Sequence, residues 1–225
     1  MRKLPLPVRV YWGLVLFSLA GSLFSRIAHL DPTPIGRPAA LLTLLVGCYA
    51  GFSETAKNDR EAAIGLISVL FLGAGAELVG LATGFPFGRY VYTDKWWPAI
   101  PIERIGYFPL QLPFAWLLVV GAAFLALRPA LRAWAVPVAA LVATVVDQIM
   151  EPVMTGSLGY WRWIDHGPLL GGSPVQNAIG WFSVSALAAG LLYFAFRSSK
   201  AGALAPAAVL LGHLVLSLGI GLIAS

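Results

Sequence analysis

Seven apolar runs, most of them long enough to cross a bilayer as a helix, constrain this chain more than anything else in it. They cover Val8–Ala28, Pro38–Phe52, Ala62–Ala82, Leu110–Leu127, Ala133–Met150, Ala178–Phe196 and Leu204–Ile223. A hydrocarbon core about 30 Å thick is crossed by about 20 helical residues. Inside it each backbone polar group needs a partner, and a helix supplies one within its own segment. The second run is short for a crossing. Charged residues make up only 11% of the chain, against about 25% in soluble domains. The expected fold is therefore all-α: a polytopic bundle of about seven transmembrane helices, forming one membrane-embedded domain over residues 1–225. The basic flank Met1-Arg2-Lys3 has the look of a signal-peptide start. Ser25-Arg26 is a poor cleavage site, however, so the first run reads as a membrane helix.

Topology follows from the basic residues. Arg2, Lys3, Arg9, Lys57, Arg60, Arg128, Arg132, Arg197 and Lys200 fall on one side; Arg26, Arg37, Arg89, Lys95, Arg104 and Arg162 fall on the other. The excess on the first side predicts a multi-pass cell-membrane protein with a cytoplasmic N-terminus. No basic patch is interleaved with polar residues, so nucleic acid is not expected as a partner. The single cysteine, Cys48, sits in an apolar run and reads as a small buried hydrophobe.

Two connectors are long, from Thr83 to Pro109 and from Glu151 to Asn177, and they hold most of the tryptophans and tyrosines. Helix parity brings both out on one face. It also puts Glu77, Asp147, Glu151 and Asn177 in one leaflet. An acid inside an apolar helix is costly and is by default functional; a structural hydrogen bond to a neighbouring helix is the alternative for Glu77. Gly73, Gly80 and Gly84 lie near it at helical spacing, as in close helix packing. Asp147 and Glu151 are four apart and share a helical face. Pro152 is expected to end that helix at Glu151. Burial and mutual repulsion are expected to keep at least one of the two acids protonated near neutral pH. Trp161 and Trp163 bracket Arg162; they serve either as interfacial anchors or as ring faces for a cation. Tyr90, Tyr92, Trp96 and Trp97 belong to the same layer. Gln176 and Asn177 open the sixth run, as helix caps or to hold a water.

The three histidines, His29, His166 and His213, form no metal-binding spacing, which excludes the histidine-rich di-iron oxygenases. His213 reads as a core histidine. The last run has no lysine for a retinal Schiff base, and no phosphate- or dinucleotide-binding loop is present. No metal or cofactor site is expected. The pair Asp147-x-x-x-Glu151 also resembles the acidic pairs of membrane prenyltransferases, but a second acidic motif is missing.

Several ordered motifs coincide with a known pattern. They are Glu77-x-x-Gly80; Thr83-Gly84-x-Pro86-Phe87-Gly88-x-Tyr90-x-Tyr92-Thr93; Pro109-Leu110-x-Leu112-Pro113-x-x-Trp116; Asp147-x-x-x-Glu151-Pro152-Val153-Met154; Trp161-x-Trp163; and Asn177-x-x-Gly180-Trp181-Phe182. Over roughly Gly75 to Phe182 the chain resembles the integral-membrane carotenoid biosynthesis proteins, whose members include carotenoid 1,2-hydratases acting on acyclic end groups. The resemblance implies a lipophilic acyclic carotenoid substrate of the lycopene or γ-carotene type, with water as co-substrate, membrane lipid around it and other carotenoid enzymes as possible neighbours. It implies that an acid protonates C2 of the terminal alkene, a tertiary cation forms at C1, and water attacks C1. Asp147 is the expected acid and Glu77 or Glu151 the base. Trp161, Trp163 and Tyr92 would line the cation, Arg162 and Asn177 would orient water or a carboxylate, and Phe87, Tyr90 and Trp181 would complete the substrate contacts. Two alternatives share the setting. A carotene cyclase would give a ring without oxygen, and a carotenoid or lipid carrier would bind without any change of mass.

Overall fold

A computed structural model of the chain describes residues 4–199 and 201–224. Arg2, Lys3 and Lys200, which enter the charge bias, lie outside the described residues. Helix α1 spans Leu6–Ile27, α2 Thr33–Asn58 and α3 Arg60–Thr83. The start of α3 is set by Asp59, whose carboxylate accepts from the Ala62 N–H at 3.0 Å, a side-chain N-cap. Its end is set by Gly84 at φ +79°, the left-handed C-terminal position that favours glycine.

After the first long connector the chain re-enters as α4 (Leu112–Trp116), widens into a π-turn (Leu117–Gly121) and continues as α5 (Ala122–Leu131). It reverses at Arg132, φ +53°, through a short 3₁₀ turn (Arg132–Trp134), and returns as α6 (Ala135–Glu151). Then come α7 (Val175–Ala195) and α8 (Leu204–Ala224). Among the described residues six helical stretches are long and apolar enough to cross a membrane. The longest, Leu112–Ser157, has 46 residues; straight, it would measure about 69 Å, over twice the hydrocarbon thickness. The reversal at Arg132 folds it into two rods, with α5 packed on α6. The chain is thus an all-α polytopic bundle, and its rods number about seven because one stretch doubles back.

Three local expectations change. The second helix is not short: α2 has 26 residues, starting with Pro34 in its first turn and carrying Pro38 inside. Proline suits the first turn, where no N–H is needed. Pro38 deletes only the bond to the carbonyl four residues back, close to the helix start. The α-helix ends at Glu151 before Pro152, as expected, but the chain does not leave the helical path there. The backbone continues as a π-turn over Pro152–Ser157, a wider turn that relieves the crowding a proline ring causes. The two long connectors are not wholly irregular either. Strand β1 (Tyr90–Tyr92), in the first, pairs antiparallel with β4 (Trp161–Trp163), in the second, and β2 (Ala99–Ile102) forms a hairpin with β3 (Gly106–Pro109).

The β1–β4 register, Tyr90 opposite Trp163 and Tyr92 opposite Trp161, ties the two connectors together over one end of the bundle. Beneath them α7 packs against both α3 and α6. Helix α3 and the sequence-remote pair α6 and α7 therefore converge under a shared β cover.

Candidate active site

Glu77, in the penultimate turn of α3, is 3% exposed. Its Oε2 accepts from the Tyr90 hydroxyl at 2.5 Å and the Tyr92 hydroxyl at 2.9 Å; its Oε1 accepts from the Trp116 indole N–H at 2.9 Å. The neighbouring glycines make room for those donors. A Cβ on Gly80 would lie 2.8 Å from the Tyr90 hydroxyl and 2.9 Å from the Phe87 ring, and one on Gly73 only 2.5 Å from the Trp116 ring. The glycine spacing along α3 is thus packing, directed at the rings that hold Glu77. Burial, and next to it the adjacent Glu77, hold the Tyr90 and Tyr92 phenols well above the ordinary tyrosine range, so both remain donors.

The second pair of acids faces the same space from α6. Glu151 is 1% exposed. Its Oε2 accepts from the indole N–H groups of Trp161 (3.1 Å) and Trp163 (2.9 Å), and its Oε1 accepts from Asn177 Nδ2 at 3.1 Å. Asp147 accepts at Oδ2 from the same Asn177 Nδ2 (2.8 Å) and from Gln148 Nε2 (3.2 Å). Among the described residues Asp147 Oδ1 accepts no hydrogen bond. Of the six carboxyl oxygens in this cluster, it alone lacks a donor. Both side-chain bonds of Asn177 run through Nδ2, and among the described residues its side-chain oxygen likewise receives no donor.

Glu77, Asp147, Glu151 and Asn177 line one cavity of about 40 Å³ together with the rings of Phe87, Tyr90, Tyr92, Trp96, Trp116, Trp161, Trp163 and Trp181. A polar cavity needs about 10–15 Å³ to hold a water, so this one has room for water beside the acids. The rings pack on one another: Trp116 stacks on Trp181 at 4.0 Å, and Tyr90 meets Trp163 at 5.3 Å and Tyr92 meets Trp96 at 5.6 Å. Beyond the strands a clasp joins the two connectors. The Arg89 side chain donates to Asp165 through Nε at 3.0 Å and Nη2 at 2.8 Å, and its backbone N–H does so at 2.8 Å. The Arg89 side chain, and then its backbone N–H, hold the Asp165 carboxyl below the usual carboxylate range.

Of the residues expected to catalyse or to contact substrate, all line the cavity except Arg162. Arg162 is the middle residue of β4 and lies exposed between buried Trp161 and Trp163. Side chains alternate across a strand, so turning both indoles inward turns the guanidinium out, and it takes no part in the cavity. Trp97 is also absent from the lining; it is 44% exposed, and its carbonyl accepts from Gln111. Asn177 and Gln176 do not cap α7. Its N-cap is Pro174 without a side-chain bond, Gln176 donates to the Gly84 carbonyl at 3.2 Å, and Asn177 bridges the two α6 acids. Trp116 is the residue the sequence reading does not single out. It stands in a motif but inside an apolar run, where an indole reads as core, and nothing local shows that it faces Glu77. His213 contacts Met150 Sδ at 3.3 Å, beside the cavity rather than in it.

A family model described as "Carotenoid biosynthesis protein" matches residues 38–225. The chain belongs to the carotenoid biosynthesis protein family. The family match takes in every lining residue of the cavity, from Glu77 to Trp181. The chain is also similar to a bisanhydrobacterioruberin hydratase from Haloarcula japonica, 32% identical over 150 residues, which is 64% of this chain and 48% of the relative. It therefore spans about half the length of that curated relative. No solved structure matches this carotenoid biosynthesis family member.

Proposed function

We propose that this protein is a hydratase that adds water across the terminal C1=C2 bond of an acyclic carotenoid end group. The observation that carries the reading is a donor-free carboxyl oxygen, Asp147 Oδ1, in a cavity of about 40 Å³ walled by aromatic rings. The family membership and the hydratase named among its relatives support it.

Asp147 acts as the acid. Its Oδ1 is free to bear a proton, whereas each oxygen of Glu77 and Glu151 already accepts at least one hydrogen bond. Transfer of that proton to C2 breaks the π bond and leaves a tertiary cation at C1, facing rings whose π faces attract positive charge. Water, held by the free Asn177 oxygen, then forms the C–O bond at C1 and passes its proton to Glu77 or Glu151. Return of that proton to Asp147 closes the cycle. The net change is H at C2 and OH at C1, so the balance calls for no redox partner.

The excess of basic residues on the opposite side of the bundle supports a cytoplasmic N-terminus, with which the acids work in the outer leaflet. A linear polyene, about as long as the hydrocarbon core is thick, reaches them with one end. The test is pigment analysis from a lycopene-making host that carries this chain. A tertiary alcohol, heavier by one water, is expected; a cyclised product of unchanged mass would replace this reading with a cyclase.

A further inference from the structure

Five rings of the cavity spend their polar hydrogens on the acids. Tyr90, Tyr92 and Trp116 donate to Glu77, and Trp161 and Trp163 donate to Glu151. What these groups leave for a guest is their π surface. Two further groups turn acceptors with no donor toward the space, Asp147 Oδ1 and the Asn177 oxygen, on side chains 5% and 2% exposed. Among the described residues no lysine, arginine or histidine lines the cavity, and Arg162, between two lining tryptophans, faces out. Among the described residues no group of three or more His, Cys, Asp or Glu side chains is placed to hold a metal ion. A buried space lined by ring faces and carboxyl oxygens, without a positive side chain, attracts a weakly hydrated organic cation. Aromatic cages recognise quaternary ammonium groups by this arrangement.

We infer that the cavity is a binding site for lipophilic tertiary and quaternary ammonium ions, a ligand class distinct from a neutral polyene. The nitrogen and its methyl groups sit among the rings, and the alkyl chain leads away toward lipid. The inference rests on the cavity's chemistry. It meets the hydration reading at one point: a dimethylalkylammonium ion carries the charge and the three carbon substituents of the C1 cation, with a tetrahedral nitrogen in place of the planar carbon.

The test uses the full chain in zwitterionic phosphatidylcholine vesicles. N,N-dimethyldodecylamine, which is protonated near neutral pH, and dodecyltrimethylammonium are titrated against tryptophan fluorescence and thermal midpoint. 2-Methyltetradecane serves as the neutral isostere, and empty vesicles correct for partitioning. Saturable binding of one ammonium per chain is expected, about tenfold or more tighter than the isostere, weakened about tenfold by Asp147→Asn and by Glu151→Gln. An isostere that shifts fluorescence and midpoint as strongly as the amines overturns the inference on the wild-type protein alone, whether or not the variants fold. Pigment hydration is scored separately. Ammonium selectivity without hydration would remove the hydratase reading and leave the cation site, and hydration without selectivity would do the reverse.

Discussion

Two regions of the bundle bury tyrosine hydroxyls beside glycines and put them to different ends. Where α1, α2 and α8 meet, the Tyr11 hydroxyl donates to the Val209 carbonyl at 3.0 Å. A Cβ on Gly212 would lie 2.5 Å from the Tyr11 ring, and one on Gly47 2.9 Å from it. One donor meets one backbone acceptor, and the glycines let the helices close. At the acid cavity Tyr90 and Tyr92 donate to Glu77 under Gly80 with the same parts, but there two acceptors, Asp147 Oδ1 and the Asn177 oxygen, receive no donor among the described residues, and space remains. The difference teaches that a tight aromatic–glycine seam is generic membrane packing. What marks a site is unmet acceptors beside an unfilled volume.

The strongest attack on this contrast is Asp147→Asn, which removes the one carboxyl with a donor-free oxygen while keeping its shape. Loss of a general acid should lower hydration by about 10²- to 10⁴-fold with the thermal midpoint little changed. Product at wild-type rates by mass spectrometry would end the assignment of Asp147. The next test pairs the glycines. Gly80→Ala and Gly212→Ala each force a Cβ into a ring and should each cost about 1–3 kcal/mol of stability. Only Gly80→Ala should also reduce turnover per folded molecule, because it shifts Tyr90 off Glu77; equal activities in the two variants would erase the distinction between the regions.

Tyrosine-to-phenylalanine changes probe the same comparison more gently. Tyr90→Phe takes a donor from a buried carboxyl and should cost about 1.5–3 kcal/mol, whereas Tyr11→Phe removes a hydrogen bond to a neutral carbonyl at about 0.5–1.5 kcal/mol. Thermal unfolding in one detergent ranks them, and the reverse order would show that Glu77 does not depend on Tyr90. The smallest effect concerns the exposed Arg89–Asp165 clasp. The folded pKa of Asp165 lies below its unfolded value of about 4. The pairing is thus fully present above that value and is lost as pH falls through the lower folded one. Exchange protection of the Ile164 and Asp165 amides, which bond to the Arg89 carbonyl at 2.9 and 3.1 Å, should be flat from neutral pH to about 5, once intrinsic exchange is corrected, and should fall only below about 4.

Much of the site was legible in the residues, for identifiable reasons. Helix parity alone places Glu77, Asp147, Glu151 and Asn177 in one leaflet, because alternating crossings leave little choice. The four-residue spacing of the α6 acids survives as a shared face. Arg162 was misplaced because the connector carrying it reads as a loop, where side chains have no fixed sides; the β1–β4 pairing that imposes alternation joins segments about 70 residues apart. Asn177 looked like a helix cap because its position is right for one, but two buried carboxyls compete for its amide. Trp116 stands in a motif but no partner for it was legible, since an indole in an apolar run is ordinary until Gly73 is found against it.

The amino-acid order by itself determined that this chain is a helical membrane bundle, and on which end its acids and aromatic rings gather. Those outcomes follow from hydrophobic length and from counting crossings, both of which are additive along the chain. Only the tertiary structure decided which carboxyl oxygens receive donors, which one is left without, and which way Arg162 points. Hydrogen-bond allocation turns on separations of a few tenths of an ångström between segments remote in sequence, and no local pattern encodes those.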